Sequence, residues 1–348
     1  MTTLPRACIV SVSGPVLTDN ERSFLKEMDP WGVILMGRSC KSRPQVRRLV
    51  DDIWGAMERA CLIFIDQEGG RVARLKAPEW PLFPAPAKFG ELYNLDMEAG
   101  LEAAELGHRL IADQLYQLGI HANCAPVLDL PQPGASDVVG DRALGSQPDQ
   151  IAMLARAALT GFERGGVSGV IKHLPGHGRA LVDSHEALPV IDASMDQLSM
   201  DFIPFTLTQN APMGMTCHVA LTAIDGNTPV THSSKIISDI IRGRIGFDGL
   251  LMTDDLGMHA LGGTLGSRAS KAIEAGCDIA LHCAGFSTDP DEILAEMIEI
   301  AEAVPEIEGD TIDRVNDAQL RAGKAEPFDA KEGWIRFYEL ISKTEVAV

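Results

Sequence analysis

The chain has 348 residues, 45% of them hydrophobic, and Asp+Glu 49 against Lys+Arg 30 give a formal net charge of −19. The length and apolar content suffice for a large buried core. The acidic balance sets aside nucleic acid and anionic membranes as partners, because phosphate binding needs clustered basic surface, while neutral small molecules such as sugars stay open.

Taken from the start, residues 1–14 hold a single Arg and one brief apolar stretch, short of a secretory signal. No later run approaches the ~20 apolar residues of a membrane span. Short apolar runs then recur at 7–12, 32–36, 62–66, 123–128, 167–173, 213–219, 249–254 and 278–283. Near-continuous apolar runs suit strands covered on both faces, as in a parallel sheet. Amphipathic segments alternate with them: 96–118, where Leu101, Leu106, Leu110, Leu115 and Leu118 recur near helical spacing, then 150–164 and 233–245. The Pro-rich segment 78–86 reads as a rigid loop over the barrel rather than a domain boundary. Eight strand–helix units predict one α/β domain over 1–348, a (β/α)8 TIM-type barrel with extra C-terminal helices between 290 and 342. An open doubly wound sheet is disfavoured, since no Gly-x-Gly-x-x-Gly turn follows an early strand. The seven cysteines (Cys8, Cys40, Cys61, Cys124, Cys217, Cys277 and Cys283) include no Cys-x-x-Cys pair and read as buried, reduced thiols in a cytoplasmic protein.

Catalysis in such barrels takes place at the C-terminal strand ends. Arg38, Asp66, Asp129, His173, His218, Asp254 and His282 all stand at or just beyond one. One alone is more often a loop cap; seven together predict a polar, concave mouth. The strongest local signal is Lys172-His173-Leu174-Pro175-Gly176-His177-Gly178, followed by Asp183-Ser184-His185. An Asp-x-His pair on such a loop fits a catalytic imidazole oriented by a carboxylate, and equally a loop cap. In Thr253-Asp254-Asp255, side-chain alternation lets only one carboxylate face a substrate. That carboxylate would be a nucleophile, a metal ligand or a helix N-cap, and residue type alone favours the cap. In Asp66-Gln67-Glu68-Gly69-Gly70-Arg71-Val72-Ala73-Arg74, acids and bases flank a tight turn. They would bracket sugar hydroxyls or form a surface salt-bridged turn.

Together these three segments resemble family 3 glycoside hydrolases, and among them the compact bacterial β-N-acetylhexosaminidases of the NagZ type, over residues 33–283 and in the expected order. The resemblance implies Asp254 as a nucleophile that forms a covalent glycosyl-enzyme, with Asp255 in support. It implies His185 as acid/base with Asp183 as its dyad partner. Asp66, Arg74, Arg142, Lys172 and His173 match residues that hold a terminal N-acetylglucosamine, and His218 matches a rim contact less firmly. No metal and no cofactor are implied. The expected substrate is a small carbohydrate, a muropeptide fragment such as N-acetylglucosamine linked to 1,6-anhydro-N-acetylmuramic acid, processed by a monomer in peptidoglycan recycling. Leu174 stands where the family often has an aromatic residue, so altered packing under the loop is expected. A neutral imidazole repels an incoming anion less than a carboxylate does, so phosphate competing with water as acceptor is a further expectation.

Two other classes compete. A metal-dependent barrel hydrolase would use His173, His177, His185 and Asp254, but no His-x-His follows the first strand. A non-catalytic sugar-binding barrel is opposed by the filled nucleophile and dyad positions.

Overall fold

The computed structural model describes residues 4–346. Its eight principal strands are β1 (Arg6–Val10), β2 (Pro30–Leu35), β3 (Leu62–Ile65), β4 (Ala122–Asn123), β5 (Ser168–Leu174), β6 (Met213–Thr216), β7 (Leu250–Met252) and β8 (Ala280–Leu281). Each matches one of the predicted runs. Every residue of β2 and β5 is buried, which is why the runs are mostly apolar rather than alternating, with Lys172 and His173 only at the end of β5. The strands pair in parallel in the order β7-β6-β5-β4-β3-β2-β1-β8. A parallel bridge between Met252 and Ile279 joins the two ends, so the sheet closes into the expected (β/α)8 barrel.

β4 is much shorter than its predicted run because Pro126 has no N–H to give the ladder. Pairing continues irregularly, with Val170 N donating to Ala125 O and Leu128 N to Lys172 O.

Helices α1 (Asp19–Met28), α2 (Arg43–Met57), α3 (Ala87–Leu95), α4 (Met97–Gln117), α5 (Pro148–Arg164), α6 (Met195–Leu207), α7 (Ile236–Arg244), α8 (Leu265–Ala275) and α9 (Pro290–Ala303) surround the strands. Thr18 and Ser194 start α1 and α6 with reciprocal capping boxes through Glu21 and Gln197. α7 is wound wider than an α-helix, with Ile245 N bonding back to Ile240 O. Two further helices, α10 (Thr311–Arg321) and α11 (Ala330–Val346), complete the chain.

The Pro-rich loop adds no side chain to the cavity at the mouth. Gly70 N donates to Phe83 O, and a β-carbon on Gly70 would meet Ala85 Cα at 2.8 Å, so the loop packs against the turn that follows β3. The Phe83 ring then joins Trp334 of α11 at 5.0 Å. Leu174 is fully buried, and a β-carbon on Gly214 would lie 2.5 Å from its Cδ1. The smaller side chain therefore fills the space that a missing β-carbon leaves.

The barrel's closing seam is pinned by one buried carboxylate. Asp278 accepts from Leu251 N at 2.8 Å, Arg242 Nη2 at 2.7 Å, Arg314 Nη1 at 2.9 Å and Thr311 Oγ1 at 2.9 Å. Its removal strands two part-buried guanidinium groups and frees an N–H of β7. Asp278→Ala should lower unfolding free energy by about 3–5 kcal/mol, as breaking a buried ion pair does. Urea denaturation reads this directly, and an unchanged midpoint would show that the seam holds without it.

Candidate active site

The strand ends deliver charge to one place. β3 ends at Asp66, and a short hairpin (Gln67–Gly69 with Val72–Ala73) brings Glu68 and Arg74 back beside it. The buried Lys172 ammonium lies between the two carboxylates, 3.2 Å from Asp66 Oδ1 and 2.7 Å from Glu68 Oε1. Arg74 bonds Asp66 Oδ2 at 2.8 Å. Arg142, from the turn Gly140–Arg142 after β4, grips both Glu68 oxygens at 2.9 Å. Five side chains thus form one continuous ladder. Burial alone would raise the Asp66 and Glu68 carboxyls, but the Lys172 charge, joined by Arg74 or Arg142, outweighs it and holds both below the ordinary range. Burial would likewise lower Lys172, and the two carboxylates reverse that.

A bulge explains how neighbours on one strand both reach the site. β5 pairs with β6 at Lys172–Met215 and next at Leu174–Thr216, leaving His173 as the extra residue. Alternation breaks there, and Lys172 and His173 both line the cavity. Asp129 organises this corner from β4's side, accepting His173 Nδ1 at 2.6 Å and His177 N at 2.7 Å. Its carboxyl sits at about 2, since His173 and His177 together overcome burial. His177 Nδ1 has no partner among the described residues, and burial keeps its ring neutral, with a pKa of about 4. Gly178 is required, because any β-carbon would collide with Leu130 O.

β7 ends in the two aspartates. Asp254 Oδ1 accepts the N–H of Asp255 at 2.8 Å, and Oδ2 lies 3.8 Å from His173 Nε2. Asp255 borders the cavity as well. Its Oδ1 takes His282 Nδ1, Cys283 N and Gly257 N, each at 3.0 Å. Burial would lower His282, but Asp255 and Glu296 on its two nitrogens raise it to about 9. The single-facing expectation is therefore corrected: both carboxylates reach the cavity, and what separates them is that Asp255 is tied down by three donors while Asp254 Oδ2 is not.

The loop after β5 carries the Asp-x-His pair. Asp183 Oδ1 accepts both His185 Nδ1 at 2.8 Å and His185 N at 2.9 Å, which leaves Nε2 free. The Asp183 carboxyl is raised by burial and more strongly lowered by these two donors. Ala260 N donates to Ser184 O, docking this loop on the segment that follows Asp254. The cavity so enclosed measures about 330 Å³.

Asp66, Arg74, Arg142, Lys172, His173, His185 and Asp254 all line it, and Asp183 stands behind His185. Of the seven strand-end candidates, Arg38, Asp129, His218 and His282 do not. His218 is fully buried, bonded to Thr231 Oγ1 at 2.7 Å and to Asp255 O at 3.1 Å, so it is a support and not a rim contact. Arg38 is occupied with backbone carbonyls. Sequence reasoning missed Glu68 as a site residue, although the quoted Asp-Gln-Glu motif contained it. It also missed Met258 and Phe286, which carry no periodic signal.

The description "Glycosyl hydrolase family 3 N terminal domain" matches residues 9–321. The chain is 36% identical over 284 residues to a β-hexosaminidase of Bordetella avium, covering 80% of this chain and 81% of that one. A β-hexosaminidase of Aromatoleum aromaticum is 34% identical over 325 residues, covering 92% and 89%. NagZ from Neisseria gonorrhoeae, in complex with N-trifluoroacetyl-D-glucosamine, superposes with a TM-score of 0.82 at 28% identity, covering 99% of each chain.

Two buried histidines and one half-buried one shape the acid behaviour. Burial lowers His108, His177 and His232 from 6.5 to about 4. Unfolded rings take a proton that the folded ones refuse. Their contribution to stability is therefore full above pH 6.5 and is lost as pH falls toward 4. His282 runs the other way, full below 6.5 and lost toward 9. Thermal midpoints should fall from pH 6.5 to about 5, before the carboxylates titrate. His108→Gln should make that fall shallower; identical slopes would sink the assignment.

Proposed function

Because the chain belongs to glycosyl hydrolase family 3 and is a β-N-acetylhexosaminidase, we propose that it is a retaining exo-acting enzyme that uses Asp254 as nucleophile and His185 as acid/base. The observation that carries this is the meeting, in one cavity, of a carboxylate oxygen with no hydrogen-bond partner among the described residues and an imidazole already oriented by Asp183. Asp254 Oδ2 attacks the anomeric carbon while the C1–O bond to the leaving group breaks, and His185 Nε2 gives its proton to the departing oxygen. The resulting glycosyl ester is then opened by water, which passes a proton back to His185 and restores the Asp254 carboxylate. Two inversions give net retention. The Asp255 N–H on Oδ1 fixes the carboxylate's orientation and leaves Oδ2 to react.

Asp66, Arg74, Arg142, Lys172 and His173 hold the terminal N-acetylglucosamine in this reading, with Glu68 and neutral His177 added to the set. Charged groups locked by one another present fixed donors and acceptors to neutral hydroxyls without reorganising. The substrate we assign is a muropeptide fragment of peptidoglycan, processed in its recycling by a cytoplasmic monomer. Seven free, buried cysteines suit a reducing compartment, and no helix among the described residues is long and apolar enough to cross a membrane.

The deciding assay is release of chromophore from an aryl β-N-acetylglucosaminide, with the aryl β-glucoside in parallel and EDTA in half the wells. Turnover of the N-acetyl substrate alone, indifferent to EDTA, is expected. Activity abolished by EDTA would put the metal-dependent mechanism first. Asp254→Asn should lower kcat by about a thousandfold or more. His185→Ala should harm alkyl glycosides, whose leaving groups need the proton, far more than aryl glycosides. Uniform loss across leaving groups would refute the acid role.

A further inference from the structure

We propose that Phe286 is the platform for the leaving group, taking the apolar C–H face of the sugar that departs beside His185. The inference rests on the roles given above to Asp254 and His185. The cavity's inner wall is a ladder of charge suited to the hydroxyls of the sugar being held. With the anomeric carbon over Asp254, the glycosidic oxygen lies toward His185, and the leaving group must extend past it. There the wall changes character. Phe286 lines the cavity, is 55% exposed and meets the His185 ring edgewise at 6.4 Å. One of its faces stacks on His259 at 5.0 Å with an interplanar angle of 18°. The exposure belongs to what remains, a flat apolar surface at the cavity's edge.

The ring's position is built. The loop after β8 turns at Ala284, whose φ of 48° a non-glycine residue adopts only where its surroundings fix it. Arg38 supplies that fixing, with Nη1 on Ala284 O at 3.0 Å and Nη2 on Cys283 O at 2.9 Å. It is itself anchored by Val12 O and Ser11 Oγ at 3.0 Å each. This gives the rim arginine its role: it secures the loop that presents Phe286. An aromatic face held in place at a mouth binds flat C–H surface through area burial and has nothing to offer a small alcohol. Phe286 is therefore a specificity-determining residue, selecting pyranose or aryl leaving groups.

The test compares N,N′-diacetylchitobiose with methyl β-N-acetylglucosaminide. Both need the proton of His185, but only the disaccharide extends to Phe286. Phe286→Ala should lower kcat/KM for the disaccharide about tenfold and leave the methyl glycoside unchanged. Phe286→Trp should retain the disaccharide rate. Equal loss on both substrates would show that the ring acts through His185, and no loss on either would leave it without a role; each overturns the proposal. A wild-type enzyme that cleaves neither glycoside overturns the reading of the reaction, and this inference with it.

Discussion

An ammonium group buried between two carboxylates is the constraint around which the site is arranged. Lys172 is almost wholly buried, so Asp66 and Glu68 must stay ionised and close. Each carboxylate then needs a second cation, and Arg74 and Arg142 arrive from the hairpin and from the turn after β4. The ladder ties the ends of β3 and β5 to two connections of otherwise irregular shape. Loops that supply buried counter-charges are held as firmly as strands. Three cations against two carboxylates also leave the wall locally positive, in a chain whose formal charge is −19. The Asp254 carboxylate faces that excess.

Behind Asp254 stands a second, separate layer. His218 holds the Asp255 carbonyl, while His282 and two backbone N–H groups hold its carboxylate. Asp255 is thereby fixed at both ends, and its own N–H fixes Asp254. The position of the Asp254 carboxylate comes from this layer, whereas the ladder shapes the opposite wall of the cavity.

Much of this was legible in the sequence. Eight apolar runs identify the strands because burial on both faces leaves no polar positions to blur them. The loop after β5 is marked by residues that admit few conformations, with Gly178 pressed against Leu130 O. What was illegible is direction. A histidine at a strand end reads the same whether it faces the cavity, as His173 does, or the core, as His218 does. The bulge at His173 decides the first case, and bulges are set by pairing partners far along the chain. Glu68 was hidden for a related reason, since its neighbours are Lys172 and Arg142, more than seventy residues away. Phe286 is a lone aromatic in a polar loop, and nothing local distinguishes it from an incidental surface side chain.

The dyad of Asp183 and His185 is closed within three consecutive residues, both of its bonds running from one residue to the next but one. Its orientation owes nothing to the barrel. A displacement of the loop would carry the imidazole, its tautomer and its counter-charge as one portable unit, and would change only their reach. Docking through Ser184 O and Ala260 N therefore supplies distance alone. The imidazole is oriented before it is placed, so its orientation and its placement are separable quantities that different substitutions could alter one at a time.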